Sequence, residues 1–199
     1  PRNNKEAKPK SYRPSREISP DGNWRAFIRE HNVFVRAREG EEEIQLSEDG
    51  KDGNSYQAPY WSPNSKNLFA FRVQPGAVGD VHLIESSPRY GGRANLRTRR
   101  YALPGDKFTA HELNRFDVEK KTQTKPEVGL IDFRGPGLRW TPDGRHFRYH
   151  KIDRGHQRFR IIEVDTFTGT HRNIIDEKSD TFIWTEHAKD LGVPLVNWL

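Results

Sequence analysis

Three histidines stand close together in the last third of the chain, His146 and His150 within one β-rich run and His156 in the loop after it. Imidazoles so grouped invite a zinc reading. Residues four apart on an extended strand share a face but lie about 13 Å from each other, whereas Zn–N bonds are about 2 Å. One ion does not reach both, and the three read as rim histidines. Cysteine is absent, which removes thiolate ligands and disulfides. Asp143-Gly144 has no further acidic residues alternating after it, so it is a turn rather than a calcium loop. No Gly-x-Ser-x-Gly nucleophile elbow occurs. Catalytic, cofactor-binding and metal-ligating residues are accordingly all assigned as none, and no cofactor is expected.

Basic residues offer a second chemistry. Arg93, Arg97, Arg99 and Arg100 form one cluster, and Arg145, Arg148, Lys151, Arg154, Arg158 and Arg160 another, the latter with Phe147, Tyr149 and Phe159 interleaved. Aromatics in a basic groove suit single-stranded nucleic acid. The formal charge of +6 has a different address, however. Residues 1–16 alone carry a net +5, and the remaining 183 hold 28 basic against 27 acidic side chains. Phe147 and Phe159 also fall at core-facing strand positions. Intramolecular pairing with Asp153, Glu163 and Asp165 is the expectation, and nucleic acid is not an expected partner.

The elements that must position these residues are organised around a repeated turn. Trp140-Thr141-Pro142-Asp143-Gly144, Trp61-Ser62-Pro63-Asn64-Ser65 and Ile18-Ser19-Pro20-Asp21-Gly22 share one form. Hydroxyl, proline, then Asp or Asn are the preferences of a type I turn. A β-rich run follows each: Trp24 to Arg29, Leu68 to Val73, and His146 to Lys151. The turn hydroxyls stand 43 and 79 positions apart, the second spacing close to two periods of the first. Short strands repeating at that period indicate an all-β fold, a β-propeller of four-stranded blades present as an incomplete arc of about four blades. The units expected are 18–47, 58–104, a degenerate 105–137, 138–176, and the start of a fifth over 181–199. Residues 1–17 read as a basic linker or frayed tail. Within unit two, Val81 to Ile84 is expected to pair with Leu68 to Val73, and Arg99 to Leu103 to form an outer strand. Trp61 and Trp140 are expected to wedge between blades. Hydrophobic content of 32% with 11% aromatics fits small cores between stacked sheets. No apolar run approaches 18 residues, no signal-peptide pattern opens the chain, and the lack of any Met suggests a segment of a longer protein.

The turn repeats, together with Arg100-Tyr101-Ala102-Leu103-Pro104-Gly105-Asp106 and Asp153-Arg154-Gly155-His156-Gln157-Arg158, resemble the N-terminal propeller of dipeptidyl peptidase IV-like enzymes of the prolyl oligopeptidase family. The resemblance spans about Ile18 to Leu199 and is nearest to bacterial members. It implies a propeller set over a C-terminal α/β-hydrolase domain of the same polypeptide, with peptide substrate between them. It also implies a serine-type peptidase parent in which this stretch is the non-catalytic part, inactive alone. A periplasmic or secreted location is a family expectation only. Dipeptide-releasing members carry a helix with paired glutamates just before the Trp-Ser-Pro of unit two. Here that place holds Ser47-Glu48-Asp49-Gly50-Lys51-Asp52-Gly53. The glycines disfavour a helix, so Glu48 and Asp49 are expected to be mobile and solvated, and the anchoring role is not carried onto them. The competing reading is a non-enzymatic propeller used as an interaction platform. Self-association through open blade edges is a further expectation.

Overall fold

The computed structural model describes residues 17–132 and 135–184. They form thirteen strands: β1 (Trp24–Arg29), β2 (Asn32–Ala37), β3 (Glu43–Gln45), β4 (Ser55–Trp61), β5 (Asn67–Gln74), β6 (Gly79–Glu85), β7 (Asn95–Tyr101), β8 (Ala110–Asp117), β9 (Thr122–Thr124), β10 (Arg139–Trp140), β11 (His146–Ile152), β12 (Arg158–Asp165) and β13 (His171–Lys178). All pairings are antiparallel. Three sheets, β1-β2-β3, β4-β5-β8-β9 and β10-β11-β12-β13, are successive blades, and β6-β7 stands apart as a two-stranded arm. The first blade begins with a residue of a fourth strand, because Ile18 bridges Arg25. The chain is thus all-β, an open arc of propeller blades.

The division into units differs from the expectation, above all in the second and third units. Val81 to Ile84 does not pair with β5; it lies in β6 and pairs with β7. The third strand of the second blade is instead β8, in register with β5 from Asn67↔Asp117 to Gln74↔Ala110. Leu113 to Val118, assigned from sequence to a separate unit over 105–137, therefore belongs to the second blade. Val128 to Phe133 is not a strand among its described residues, which contribute a single bridge, Ile131 to His111. The long spacing between the second and third turns reflects one blade with an inserted arm. Of the expected fifth unit, 185–199 lies outside the described residues, and Thr181 to Trp184 forms no strand. Glu17, expected in the frayed tail, is held: its carbonyl accepts from the Ala26 amide at 2.6 Å and from Trp61 Nε1 at 3.2 Å.

Alternation along β5 builds both cores. Leu68 and Ala70 face the first blade and pack with Ala26, Val33, Val35, Tyr56, Trp61 and Phe116. Phe69, Phe71 and Val73 face the third, meeting Leu113, Phe147, Tyr149, Ile162 and Val164. A strand apolar on both faces is stable only when sandwiched, and β5 is buried from Asn67 to Phe71. Trp61 fills the first interface and Trp140 the second, where its ring meets Phe69 and Phe147 edge-on at 5.4 Å each.

The three turns are hydrogen-bonded alike. In each, the amide four positions into the turn donates to the first carbonyl: Gly22 to Ser19, Ser65 to Ser62, and Gly144 to Thr141, at 2.8–2.9 Å. Each hydroxyl also donates to the Asp or Asn two residues on. The turns touch across blades. Asp21 N donates to Ser65 Oγ at 3.0 Å, and a Cβ on Gly144 would stand 3.0 Å from the Pro63 ring. Ser65 occupies the left-handed position (φ 60°) that glycine fills in the other two copies. Gly144→Ala is expected to cost about 1–2 kcal/mol, because alanine would carry the left-handed penalty and press on Pro63. A urea midpoint unchanged from the parent would contradict this.

Candidate functional site

The segment at the place singled out by the resemblance is the connector between the first and second blades, residues 46–54. It is anchored at both ends. Ser47 Oγ receives the Val33 amide at 2.9 Å and donates to Asn32 Oδ1 at 3.0 Å. Gly50 N donates to the same Asn32 oxygen at 2.9 Å, and Tyr56 N to the His31 carbonyl at 3.0 Å. Gly50 lies so near the β1–β2 turn that a Cβ there would sit 2.1 Å from His31 O. That turn is itself unusual, since Glu30 and His31 both adopt left-handed φ, at 46° and 69°. The expectation of a mobile segment is overturned for Asp49. Glycine at 50 serves close backbone approach rather than looseness.

Asp49 plugs a polar row at the end of the interface between the first two blades. Its Oδ1 accepts from the Tyr56 hydroxyl at 2.7 Å, and Oδ2 from Arg72 Nη1 at 2.8 Å. Arg72 turns its Nε to Glu112 at 2.8 Å. Lys125 Nζ stands 3.5 Å from Asp49 and 3.6 Å from Glu112. Gln123 Nε2 donates to the Tyr56 hydroxyl and to Asn114 Oδ1, both at 2.9 Å. These residues come from β4, β5, β8, β9 and the chain just after β9, and they meet because Tyr56, Arg72 and Glu112 are cross-strand partners on one face. Burial pushes the Asp49 carboxyl up, but the bonds from Tyr56 and Gln123 and the charges of Arg72 and Lys125 outweigh it and hold it below the usual aspartate range. The Tyr56 phenol moves up, through burial first and the Asp49 bond second. Beside this row opens a cleft of about 550 Å³ that Glu48, Asp49, Lys121 and Lys125 help line. Two carboxylates and two cations neutralise one another here, so Asp49 is spent on its own blade. Glu48 is exposed.

The other residues singled out in the sequence are kept apart. His146 Nε2 faces Asp165 at 3.6 Å, the His150 ring stacks on Phe159, and His156 lies against Phe182. No group of three or more His, Cys, Asp or Glu is gathered for a metal among the described residues. The second basic cluster is engaged internally. Arg148 and Arg172 reach Glu163 at 2.8 and 2.6 Å, Arg158 reaches Asp176 at 2.7 Å, Arg145 reaches Asp165 at 3.2 Å, and Arg160 pairs with Asp153. Sequence reading missed Arg72, Glu112, Gln123 and Lys125. One signal was available: Arg72 is the single charge inside the apolar run Leu68 to Val73.

The model of the dipeptidyl peptidase IV N-terminal region family matches residues 2–193. The chain belongs to that family. As a dipeptidyl peptidase IV N-terminal region, it is similar in fold to the dipeptidyl peptidase 4 of Porphyromonas gingivalis, with a TM-score of 0.57 at 18% identity over 89% of this chain. A putative dipeptidyl aminopeptidase IV from Bacteroides ovatus gives 0.56 at 14% identity over 88%. The chain spans 27% and 25% of those two proteins. Within this dipeptidyl peptidase IV N-terminal region no helix is long and apolar enough to cross a membrane, among the described residues.

Proposed function

We propose that this chain is the non-catalytic propeller portion of a dipeptidyl peptidase IV-like serine peptidase. In that role its blades wall and gate the cavity in which peptide substrate meets a hydrolase domain of the same polypeptide. The observation that carries the reading is the family match over nearly the whole chain, joined to blades whose cores are built blade against blade. The parent reaction is acyl transfer to serine followed by hydrolysis. This stretch contributes walls, not the nucleophile, since it holds no Gly-x-Ser-x-Gly.

The neutralised connector gives the reading a specific consequence. A detector for a substrate's free amine needs carboxylates whose charge is available, each worth roughly 1.5–3 kcal/mol to an ammonium. Asp49 is already matched by Arg72 and Lys125. The chain alone is expected not to cleave a chromogenic Ala-Pro amide. The full-length polypeptide is expected to favour the free amide over its N-acetyl form by less than about a hundredfold in kcat/KM. Turnover by the purified chain alone would overturn the non-catalytic assignment. A larger preference that disappears in Glu48→Ala would show that Glu48 anchors the amine.

A further inference from the structure

On the propeller assignment above, we propose that the face of the first blade turned away from the second is an ionic seam, closed by carboxylates of the blade that precedes it in the same polypeptide. Ala26, Val33 and Val35 pack toward the second blade. Alternation therefore turns Arg25, Phe27 and Arg29 of β1, and Phe34 and Arg36 of β2, the other way. Ile18 holds the place that the buried Trp61 holds in the next repeat, and it is 53% exposed.

Register against the other blades shows how this face differs. The cross-strand pairs Leu68↔Phe116 in the second blade and Phe147↔Val164 in the third are apolar and fully buried in the blade interfaces. Counted from the repeated turns, the same pair in the first blade is Arg25↔Arg36. Like charges directly opposite one another destabilise a sheet, yet here they stand at the level of a blade-to-blade core. Next to them Phe27 and Phe34 stack at 5.8 Å, with the Arg29 guanidinium 4.3 Å over the Phe34 ring. Arg25, Arg36 and Arg38 line a recess of about 380 Å³ together with Ile18 and Trp24. Two carboxylates serve the three strand arginines: Glu17 reaches Arg25 at 3.4 Å, and Glu43 is shared by Arg29 and Arg36.

Charge selects the occupant. An apolar blade face, of the kind that covers Leu68 or Phe147, would strip water from Arg25 and Arg36 without pairing them, which is costly. Residues 1–16 carry a net +5 and are repelled. A second copy of the chain fits poorly as well. The far face of its third blade already commits Glu163 to Arg148 and Arg172, and Asp165 to Arg145. Asp and Glu side chains on the preceding blade would meet the guanidinia in charge-assisted hydrogen bonds, while its apolar side chains would cover Ile18 and Phe27. Such a seam differs from the two apolar interfaces in its response to salt. Its attraction is screened within about 3 Å at 1 M ionic strength, whereas apolar burial does not depend on charge.

Hydrogen exchange of the full-length polypeptide and of this chain alone, in about 0.05 M and about 1 M NaCl, tests the seam. At low salt the amides of 25–29 and 33–36 are expected to exchange at least about tenfold more slowly in the full-length polypeptide. At high salt most of that protection should disappear, while amides of 68–73 and 159–164 keep theirs. In an Arg25→Glu, Arg36→Glu variant the protection should be lost at low salt and partly return at high salt. The same variant of the chain alone should exchange like its parent, which checks that the first blade persists. Protection that withstands high salt, or that survives in the variant, overturns the ionic seam and leaves the propeller assignment standing. Equal exchange in the full-length polypeptide and the chain alone overturns both, since nothing then covers the face. Protection of these amides that grows with the concentration of the chain alone assigns the face to a second copy and likewise overturns the proposal.

Discussion

Gly50→Ala is expected to be strongly disruptive, costing about 3 kcal/mol. The added methyl would stand 2.1 Å from the His31 carbonyl oxygen and 2.8 Å from Asn32 Oδ1. Neither neighbour yields easily. His31 O holds the Tyr56 amide, and Asn32 Oδ1 holds both Ser47 and Gly50. Relief requires the connector to lift away from the first blade, which would draw Asp49 off Tyr56 and Arg72. The internal control is Gly53, three residues on. It has φ of 70° and nothing within 4 Å of its would-be Cβ, so Gly53→Ala should lose only the left-handed penalty of about 1–2 kcal/mol. Urea unfolding of the two variants gives the comparison, and hydrogen exchange at Gly50 and Tyr56 locates the opening. Equal losses would mean that the connector does not depend on its close approach to the His31 carbonyl.

The second large effect concerns Glu163, whose carboxylate is 3% exposed and takes Arg148 at 2.8 Å and Arg172 at 2.6 Å. Removing one member of a buried pair costs about 3–5 kcal/mol. Arg172 is three-quarters exposed and solvent screens its share, so Glu163→Gln is expected to cost about 2 kcal/mol at pH 7. Burial raises this carboxyl, but the bonds from Arg148 and Arg172 outweigh it and leave it below the ordinary glutamate range. A group with a depressed native pKa adds stability above its unfolded value, near 4.3, and loses it as pH falls through the native one. The gap between parent and variant should therefore be constant from pH 7 to about 5 and close below about pH 4. Chemical denaturation at a series of pH values measures it. A gap that persists undiminished at pH 3 would assign the loss to packing rather than to charge.

The sequence by itself determined the local chemistry. A hydroxyl, a proline and an Asp or Asn in succession specify the same hydrogen-bonded turn three times, since every bond in it lies within six residues. Period-two alternation in Leu68 to Val73 fixed which side chains face each neighbouring blade, because a strand has no other way to divide its residues. Tertiary structure decided which strands meet. Val81 to Ile84 follows β5 closely and alternates plausibly, yet the place beside β5 goes to β8, more than thirty residues on, whose Leu113 and Phe116 are buried in the two cores. Pairing choice turns on burial available across the whole sheet, which no local window contains. The same holds for Asp49. Beside Gly50 in the sequence it reads as solvated, and only the folded blade brings Tyr56, Arg72, Gln123 and Lys125, from three separate stretches of chain, around one carboxylate.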